Sequence, residues 1–115
     1  MATTPEGKVK DKIKAIVNSR GMYVMPFQQG TGMNGVSDFL AVVDGYFVAI
    51  EAKAGKGKPT ELQKRFLANV VKNGGVALVV NEHWLERLEK AIQPQWFSQD
   101  KMLGLTEENR AEFGW

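Results

Sequence analysis

The stretch "DFLAVVDGYFVAIEAK", residues 38–53, decides the fold, because it has the pattern of two apolar strands joined by a tight turn. Both halves are rich in β-branched and aromatic residues, which favour strands. Asp44-Gly45 between them is a strong signal for a two-residue hairpin turn. Asp38 begins the first apolar run and Glu51 lies near the end of the second. The stretch therefore predicts a hairpin that carries charge at its open end.

The register of this hairpin follows from its turn. If Asp44 and Gly45 are the two turn residues, Asp38 and Glu51 are equally far from the turn and face each other. Facing Cβ atoms in antiparallel strands lie about 4.5–5.5 Å apart, and like charges there repel. Lys53 projects from the same sheet face as Glu51, since side chains alternate along a strand. A three-residue turn would instead place the two carboxylates on opposite faces.

A divalent cation between Asp38 and Glu51 would remove the repulsion between these carboxylates. Mg²⁺ is commonly held by one or two carboxylates together with waters and phosphate oxygens. The chain has no cysteine and a single histidine, His83, which argues against a zinc site and favours Mg²⁺ or Mn²⁺ with oxygen ligands. The alternative is a salt-bridge cluster at the mouth of the hairpin, of a kind that stabilises proteins little.

The remaining pattern predicts one α/β domain over residues 1–115, with a mixed β-sheet flanked by helices in the order α-β-β-β-α-β-α. A chain of 115 residues with 43% hydrophobic side chains can bury a core without disulfides. The segments outside the hairpin are predicted as a helix over 6–20, a strand over 22–27, a helix from Thr60 to Asn73, a strand over 76–80 and a helix over 82–92.

The C-terminal tail, residues 93–115, shows no clear period after Pro94. It nevertheless holds many large apolar side chains: Trp96, Phe97, Met102, Leu103, Leu105, Phe113 and Trp115. So much apolar surface must pack either on the core of the same chain or on a second subunit. The tail is therefore our candidate dimer contact, with packing inside the chain as the alternative.

The charge is weakly positive overall, at +2, but it is unevenly distributed. Lysines are concentrated in the first fifteen residues and again after the hairpin, which permits a basic face on a nearly neutral protein. The alternative is an ordinary solvated surface. No apolar stretch is long enough to span a membrane, and the first residues lack the apolar segment of a secretory signal. We therefore expect a cytoplasmic protein without a membrane partner.

At this point the residues resemble a known family. Asp38, followed by Glu51-Ala52-Lys53, resembles the PD-(D/E)XK nuclease motif, in which an Asp begins one strand of a hairpin and Glu-X-Lys ends the next. Glu6 resembles the extra carboxylate that many members carry on the preceding helix. A carboxylate in the first turn of a helix is also favoured by the helix dipole, which is the alternative explanation for Glu6.

Three further residues are similar to the VRR-NUC branch of that superfamily, whose stand-alone members occur in phages and bacteria. They are Gly35 before the Asp, and Thr60 with Gln63 after the basic loop. Thr60 and Gln63 also fit a capping box, and a site role and a capping role can coexist. The resemblance covers residues 6 to about 80. Ser37 departs from it, because the family has a proline there that shapes the backbone.

The resemblance implies a restriction-endonuclease-like core and a Mg²⁺-dependent DNA endonuclease. It places the metal on Asp38, Glu51 and the backbone carbonyl of Ala52, and it places Lys53 near the attacking water or the phosphate. Glu6 would be an outer or second-metal carboxylate, and Gln63 would lie close to the site. Stand-alone members resemble Holliday junction resolvases, so the implied substrate is branched DNA and the implied process is DNA repair. The implied assembly is a homodimer, and the implied location is the host cytoplasm.

We expect the DNA backbone to be bound by four basic residues that follow the hairpin: Lys56, Lys58, Lys64 and Arg65. Such contacts carry no sequence information, and few side chains remain for reading bases, so structure-specific cutting is expected. We expect no small-molecule cofactor. One alternative is a non-catalytic nucleic-acid-binding module with the same fold. Another is a hydrolase of small phosphoesters, which would need a closed pocket.

Overall fold

The computed structural model describes residues 4–20, 23–24, 37–93 and 98–115, without the side chains of Tyr23, Val24 and Gln99. Its elements in chain order are α1 (Pro5–Ser19), β1 (Tyr23–Val24), β2 (Phe39–Val43), β3 (Tyr46–Ala52), α2 (Glu61–Lys72), β4 (Val76–Val80), α3 (Leu85–Ala91) and α4 (Gln99–Phe113). The four strands form one sheet in the order β1-β2-β3-β4. β1, β2 and β3 are antiparallel, and β4 is parallel to β3. The predicted mixed sheet flanked by helices is therefore confirmed.

The β2–β3 hairpin has the predicted register. Asp44 and Gly45 have φ angles of 50° and 85°, the left-handed conformation that a two-residue type I′ turn needs at both positions. The paired residues run from Val43 with Tyr46 at the turn to Phe39 with Ile50 at the open end. Asp38 and Glu51 occupy the next position outward on each strand, so the turn chemistry brings them to the same end of the hairpin.

The crossover from β3 to β4 runs through α2. Thr60 Oγ1 accepts a hydrogen bond from the backbone N–H of Gln63, and Gln63 Oε1 accepts one from the N–H of Thr60, which completes the capping box. The chain then enters β4 through Gly75, where a Cβ atom would lie 2.7 Å from Val70 Cγ1. This close approach seats the last turn of α2 against the sheet.

The core lies between the sheet and the helices around it. α1 begins after Thr4, whose hydroxyl caps the N–H of Gly7. α1 contacts β3 and α3, and its buried apolar residues recur at helical spacing: Val9, Ile13 and Val17. β4 is buried along its whole length, as the predicted continuous apolar run requires. α1 therefore lies within reach of the open end of the hairpin.

The tail differs from the prediction, because residues 99–113 form the regular helix α4. Its buried positions are Met102, Thr106, Asn109 and Phe113, which have helical spacing. Two of these four are polar, so the apolar pattern alone did not show the period. The core of this chain includes Met102, Phe113 and Trp115. These three side chains therefore pack inside the chain, which was the alternative to a dimer contact. Trp96 and Phe97 lie outside the described residues.

Asn109 joins α4 to the free edge of β4. Its Oδ1 accepts a 2.8 Å hydrogen bond from the N–H of Val79, and its Nδ2 donates a 2.8 Å bond to the carbonyl of Val79. Trp115 Nε1 donates to the same Oδ1 at 3.0 Å. The amide thus replaces a neighbouring strand at this residue, and α4 covers an edge that could otherwise pair with another chain.

One further predicted boundary differs, and another lies partly outside the described residues. α3 begins at Leu85 rather than at residue 82, because Glu82, His83 and Trp84 form a turn before it. Of the predicted strand over 22–27, the structure describes Tyr23–Val24 as β1, and the other four positions lie outside the described residues. None of the described helices combines the length and the apolar character needed to cross a membrane.

Candidate metal-binding and catalytic site

Asp38 lies at the open end of the hairpin with both carboxylate oxygens engaged. Its Oδ2 accepts a 2.8 Å hydrogen bond from the backbone N–H of Ala52. Its Oδ1 lies 3.3 Å from the ammonium of Lys10 on α1, and 10% of the Asp38 side chain is exposed. The bond to Ala52 ties the start of β2 to the end of β3, so the carboxylate is held at a fixed position beside Glu51.

Glu51 is buried, with 2% of the residue exposed. Its Oε2 accepts a 3.0 Å hydrogen bond from Gln63 Nε2 and lies 3.8 Å from Lys53 Nζ. Its Oε1 is buried and has no hydrogen-bond partner. Burial, followed by the neighbouring carboxyl group of Asp38, raises the pKa of Glu51 to about 8, although Lys53 acts in the opposite direction. A second positive charge at Oε1 would lower that pKa and satisfy the oxygen.

The structure brings together most of the predicted site residues. Asp38, Glu51, Lys53 and Gln63 meet at the hairpin end, and Ala52 lies between two of them in the chain. Gln63 has both of the roles considered for it: its Oε1 completes the helix cap, and its Nε2 reaches Glu51. One side chain therefore links the start of α2 to the buried carboxylate.

Glu6 is linked to Asp38 through Lys10, a residue that we did not predict. Lys10 Nζ lies 3.6 Å from Glu6 Oε2 as well as 3.3 Å from Asp38 Oδ1. Burial alone would lower the pKa of Lys10, but the carboxylates of Asp38 and Glu6 raise it above its usual value. The signal in the sequence was the spacing of four residues from Glu6, which places both side chains on one helix face.

The basic residues beyond the hairpin are differently placed. Lys56, Lys58 and Arg65 are exposed, whereas Lys64 is half-buried and lies 3.2 Å from Glu61 Oε1. The loop that carries the first two has a defined turn, since Gly57 N donates to the carbonyl of Ala54 at 2.9 Å. Gly55 N also donates to Glu82 Oε1 at 2.8 Å. These contacts hold the basic loop next to Lys53.

The chain was compared with family models, curated proteins and solved structures. None of them matches it. The likeness to VRR-NUC nucleases thus stays a prediction made from the motif.

The donor set fits a hard divalent cation. Asp38 and Glu51 supply carboxylate oxygens at one place, Ala52 directly follows Glu51 in the chain, and Glu51 Oε1 lacks a partner. In the part of the chain that the structure describes, no three Asp, Glu, His or Cys side chains come together as a metal-binding group. The assignment of Glu6 as an outer or second-metal carboxylate stays a prediction.

A groove of about 620 Å³ lies elsewhere, between α3 and α4. Its lining residues are Arg87, Lys90, Ala91, Gln93, Lys101, Gly104, Leu105 and Glu108. None of them belongs to the carboxylate site. The groove therefore gives no support to a small-phosphoester hydrolase acting through Asp38 and Glu51.

Proposed function

We propose that this chain is a Mg²⁺-dependent, structure-specific DNA endonuclease with a restriction-endonuclease-like core. One observation carries the proposal: Glu51 is buried beside Asp38 with its Oε1 unsatisfied, at the open end of a hairpin. Two adjacent carboxyl groups in a buried position are costly for a fold unless a proton or a cation neutralises them. Lys10 and Lys53 each lie near one of the other carboxylate oxygens, and Glu51 Oε1 still lacks a partner. A bound divalent cation would satisfy that oxygen.

Asp38, Glu51 and the carbonyl of Ala52 would hold Mg²⁺ or Mn²⁺. The bound ion would polarise the scissile phosphate and lower the pKa of an attacking water. Glu51 keeps its orientation through Gln63, and Asp38 keeps its orientation through the N–H of Ala52. Both ligands are thereby fixed before the ion arrives, which reduces the reorganisation that binding would otherwise require.

Lys53 would act on the substrate rather than on the ion. Its ammonium lies 3.8 Å from Glu51 Oε2, and 13% of the side chain is exposed. A partly desolvated ammonium next to the bound phosphate stabilises the negative charge that develops as the water attacks. Lys53 is therefore assigned as the residue that contacts the phosphate. The resemblance to PD-(D/E)XK nucleases further implies products with a 5′-phosphate and a 3′-hydroxyl.

DNA would approach over the basic loop and the start of α2. Lys56 and Lys58 project from the loop that follows Lys53, and Arg65 is exposed on α2. These residues bind phosphates irrespective of base sequence, which favours recognition of DNA shape. Branched DNA such as a Holliday junction is the proposed substrate, and a homodimer would present two sites to its two-fold symmetry.

A cleavage panel tests this function. Linear, flap, replication-fork and four-way-junction DNAs are incubated with the wild-type chain in Mg²⁺ and in EDTA. We expect Mg²⁺-dependent cutting that is fastest on a branched substrate and is lost in Asp38→Asn. Glu89→Gln on the exposed side of α3 is the matched control and should cut normally. Binding of these DNAs without any cutting would instead support the non-catalytic module.

A further inference from the structure

Lys10 carries a third positive charge at the site, besides the proposed metal ion and Lys53. Its Nζ lies 3.3 Å from Asp38 Oδ1 and 3.6 Å from Glu6 Oε2, and 29% of its side chain is exposed. It belongs to α1, an element that carries no part of the Asp-Glu-X-Lys motif. In this arrangement, the ammonium neutralises the carboxylate that the proposed metal would also use.

Asp38 cannot keep both the N–H of Ala52 and the ammonium of Lys10 as partners and also bind a divalent ion without repulsion. Its Oδ2 is bonded to the N–H of Ala52, which is fixed in the backbone of β3. Its Oδ1 is paired with Lys10, whose side chain is long and partly exposed. Since a +2 ion repels an ammonium at such a distance, Lys10 is the partner that must leave.

Glu6 offers Lys10 an alternative partner within reach. The two residues are one helical turn apart, and their charged atoms are already 3.6 Å apart. When an ion takes the place of Lys10 at Asp38 Oδ1, Lys10 can shift entirely to Glu6 and still have a carboxylate neighbour. Glu6 then acts through Lys10 and does not need to touch the metal.

We propose that Lys10 is the built-in counter-ion of Asp38 and that a divalent cation displaces it toward Glu6. This inference rests on the cation site of the proposed function, and it adds a positioning role for two residues of α1. Metal-free protein is stabilised by the Lys10–Asp38 pair, and that pair competes with the incoming ion. Lys10 thus sets the concentration of divalent cation at which the site fills.

The dissociation constant for Mn²⁺, measured by isothermal titration calorimetry without DNA, tests the inference. Lys10→Met should bind Mn²⁺ about three- to tenfold more tightly than the wild type, because the competing charge is gone. Lys10→Arg keeps the charge and should stay within about twofold of the wild type. Lys14→Met is the matched control, since Lys14 is exposed on the same helix. It removes the same charge elsewhere and should not tighten binding.

A double-mutant cycle distinguishes two roles for Glu6. Glu6 could be the alternative partner of displaced Lys10, or it could bind the metal ion directly. Glu6→Gln should weaken Mn²⁺ binding in the wild-type background, because displaced Lys10 loses its alternative partner. In the Lys10→Met background the same change should have a clearly smaller effect. An equal or larger effect there would show that Glu6 contacts the ion and would overturn this role for Glu6.

The outcomes separate the two proposals. If the wild type binds Mn²⁺ and Lys10→Met binds it no more tightly than Lys14→Met, the counter-ion role is wrong and the cation site of the proposed function stands. If neither the wild type nor Lys10→Met binds Mn²⁺, both the cation site and the counter-ion role are wrong. Tighter binding by Lys10→Met alone supports the inference, whatever the cleavage rate of that variant.

Discussion

Gln63 Nε2 donates a 3.0 Å hydrogen bond to Glu51 Oε2, and this bond joins the start of α2 to the buried carboxylate at the end of β3. The same Gln63 accepts a bond from the N–H of Thr60 in the helix cap. The cap holds the amide in place, and the amide in turn orients Glu51. Helix capping and site geometry therefore depend on one side chain, and mutations can separate the two contributions.

Thr60→Ala and Gln63→Leu should differ in their effect on cleavage. Thr60→Ala removes the hydroxyl of the cap and should lower the free energy of unfolding by about 1 kcal/mol, while cleavage by the folded protein stays near the wild-type rate. Gln63→Leu removes the cap contact and the bond to Glu51, so it should reduce cleavage as well. Equal cleavage by the two variants, measured where both are folded, would mean that Gln63 acts only as a cap.

Glu51→Gln should stabilise the metal-free protein. The amide Nε2 can take the place of Oε1 and donate to the carboxylate of Asp38, while the amide oxygen keeps the bond from Gln63. We expect the free energy of unfolding in EDTA at pH 7.5 to rise by about 1–3 kcal/mol. Denaturant titration measures it, with Glu89→Gln as the exposed control. A fall in stability would show that the buried carboxyl group of Glu51 is not a burden on the fold.

The pH dependence of stability follows from the raised pKa of Glu51. Burial and Asp38 raise it to about 8, so between the unfolded value near 4.5 and about 8 the folded chain binds more protons than the unfolded chain. The metal-free protein should therefore lose stability from this group as the pH rises through that window. Unfolding measured from pH 5 to pH 8.5 should show a decline that is weaker in Glu51→Gln. The same slope in both proteins would assign the decline to other groups.

Asn109→Ala should be strongly destabilising. The change removes the two hydrogen bonds between the Asn109 side chain and the backbone of Val79. The N–H and the carbonyl of Val79 are then left without these partners in a buried position. We expect a loss of about 2–4 kcal/mol in the free energy of unfolding. Asn18→Ala, on the exposed side of α1, is the matched control and should cost far less. If both variants lose the same small amount, α4 does not depend on this contact.

The hairpin could be predicted because its information is local. Asp44-Gly45 specifies a two-residue turn, and the turn then fixes every pair out to Phe39 with Ile50. Asp38 and Glu51 are the next residues beyond this pair. Counting residues from the turn was therefore enough to predict that these two carboxylates lie at the same end of the hairpin. The capping box of α2 was equally local, since Thr60 and Gln63 are three residues apart.

Two features could not be predicted from patterns of this kind. α4 was missed because Thr106 and Asn109 occupy buried positions, where hydrogen bonds to the carbonyl of Met102 and to Val79 replace apolar contacts. Lys10 was missed because its partner Asp38 is distant in sequence, and four lysines in α1 look alike until the helix is placed against the hairpin. Both features depend on contacts between distant parts of the chain, and the spacing of apolar residues in the sequence does not show such contacts.

The cleavage rate of Glu51→Gln on a four-way DNA junction tests the proposed site most directly. The wild type and the variant are compared in Mg²⁺ and in EDTA, after their folding has been verified by denaturant titration. We predict that the wild type cuts only with Mg²⁺ and that the variant, although more stable, cuts about 100-fold more slowly or not at all. Equal Mg²⁺-dependent cutting by the folded variant would contradict the assignment of Glu51 and Asp38 as the metal-binding pair.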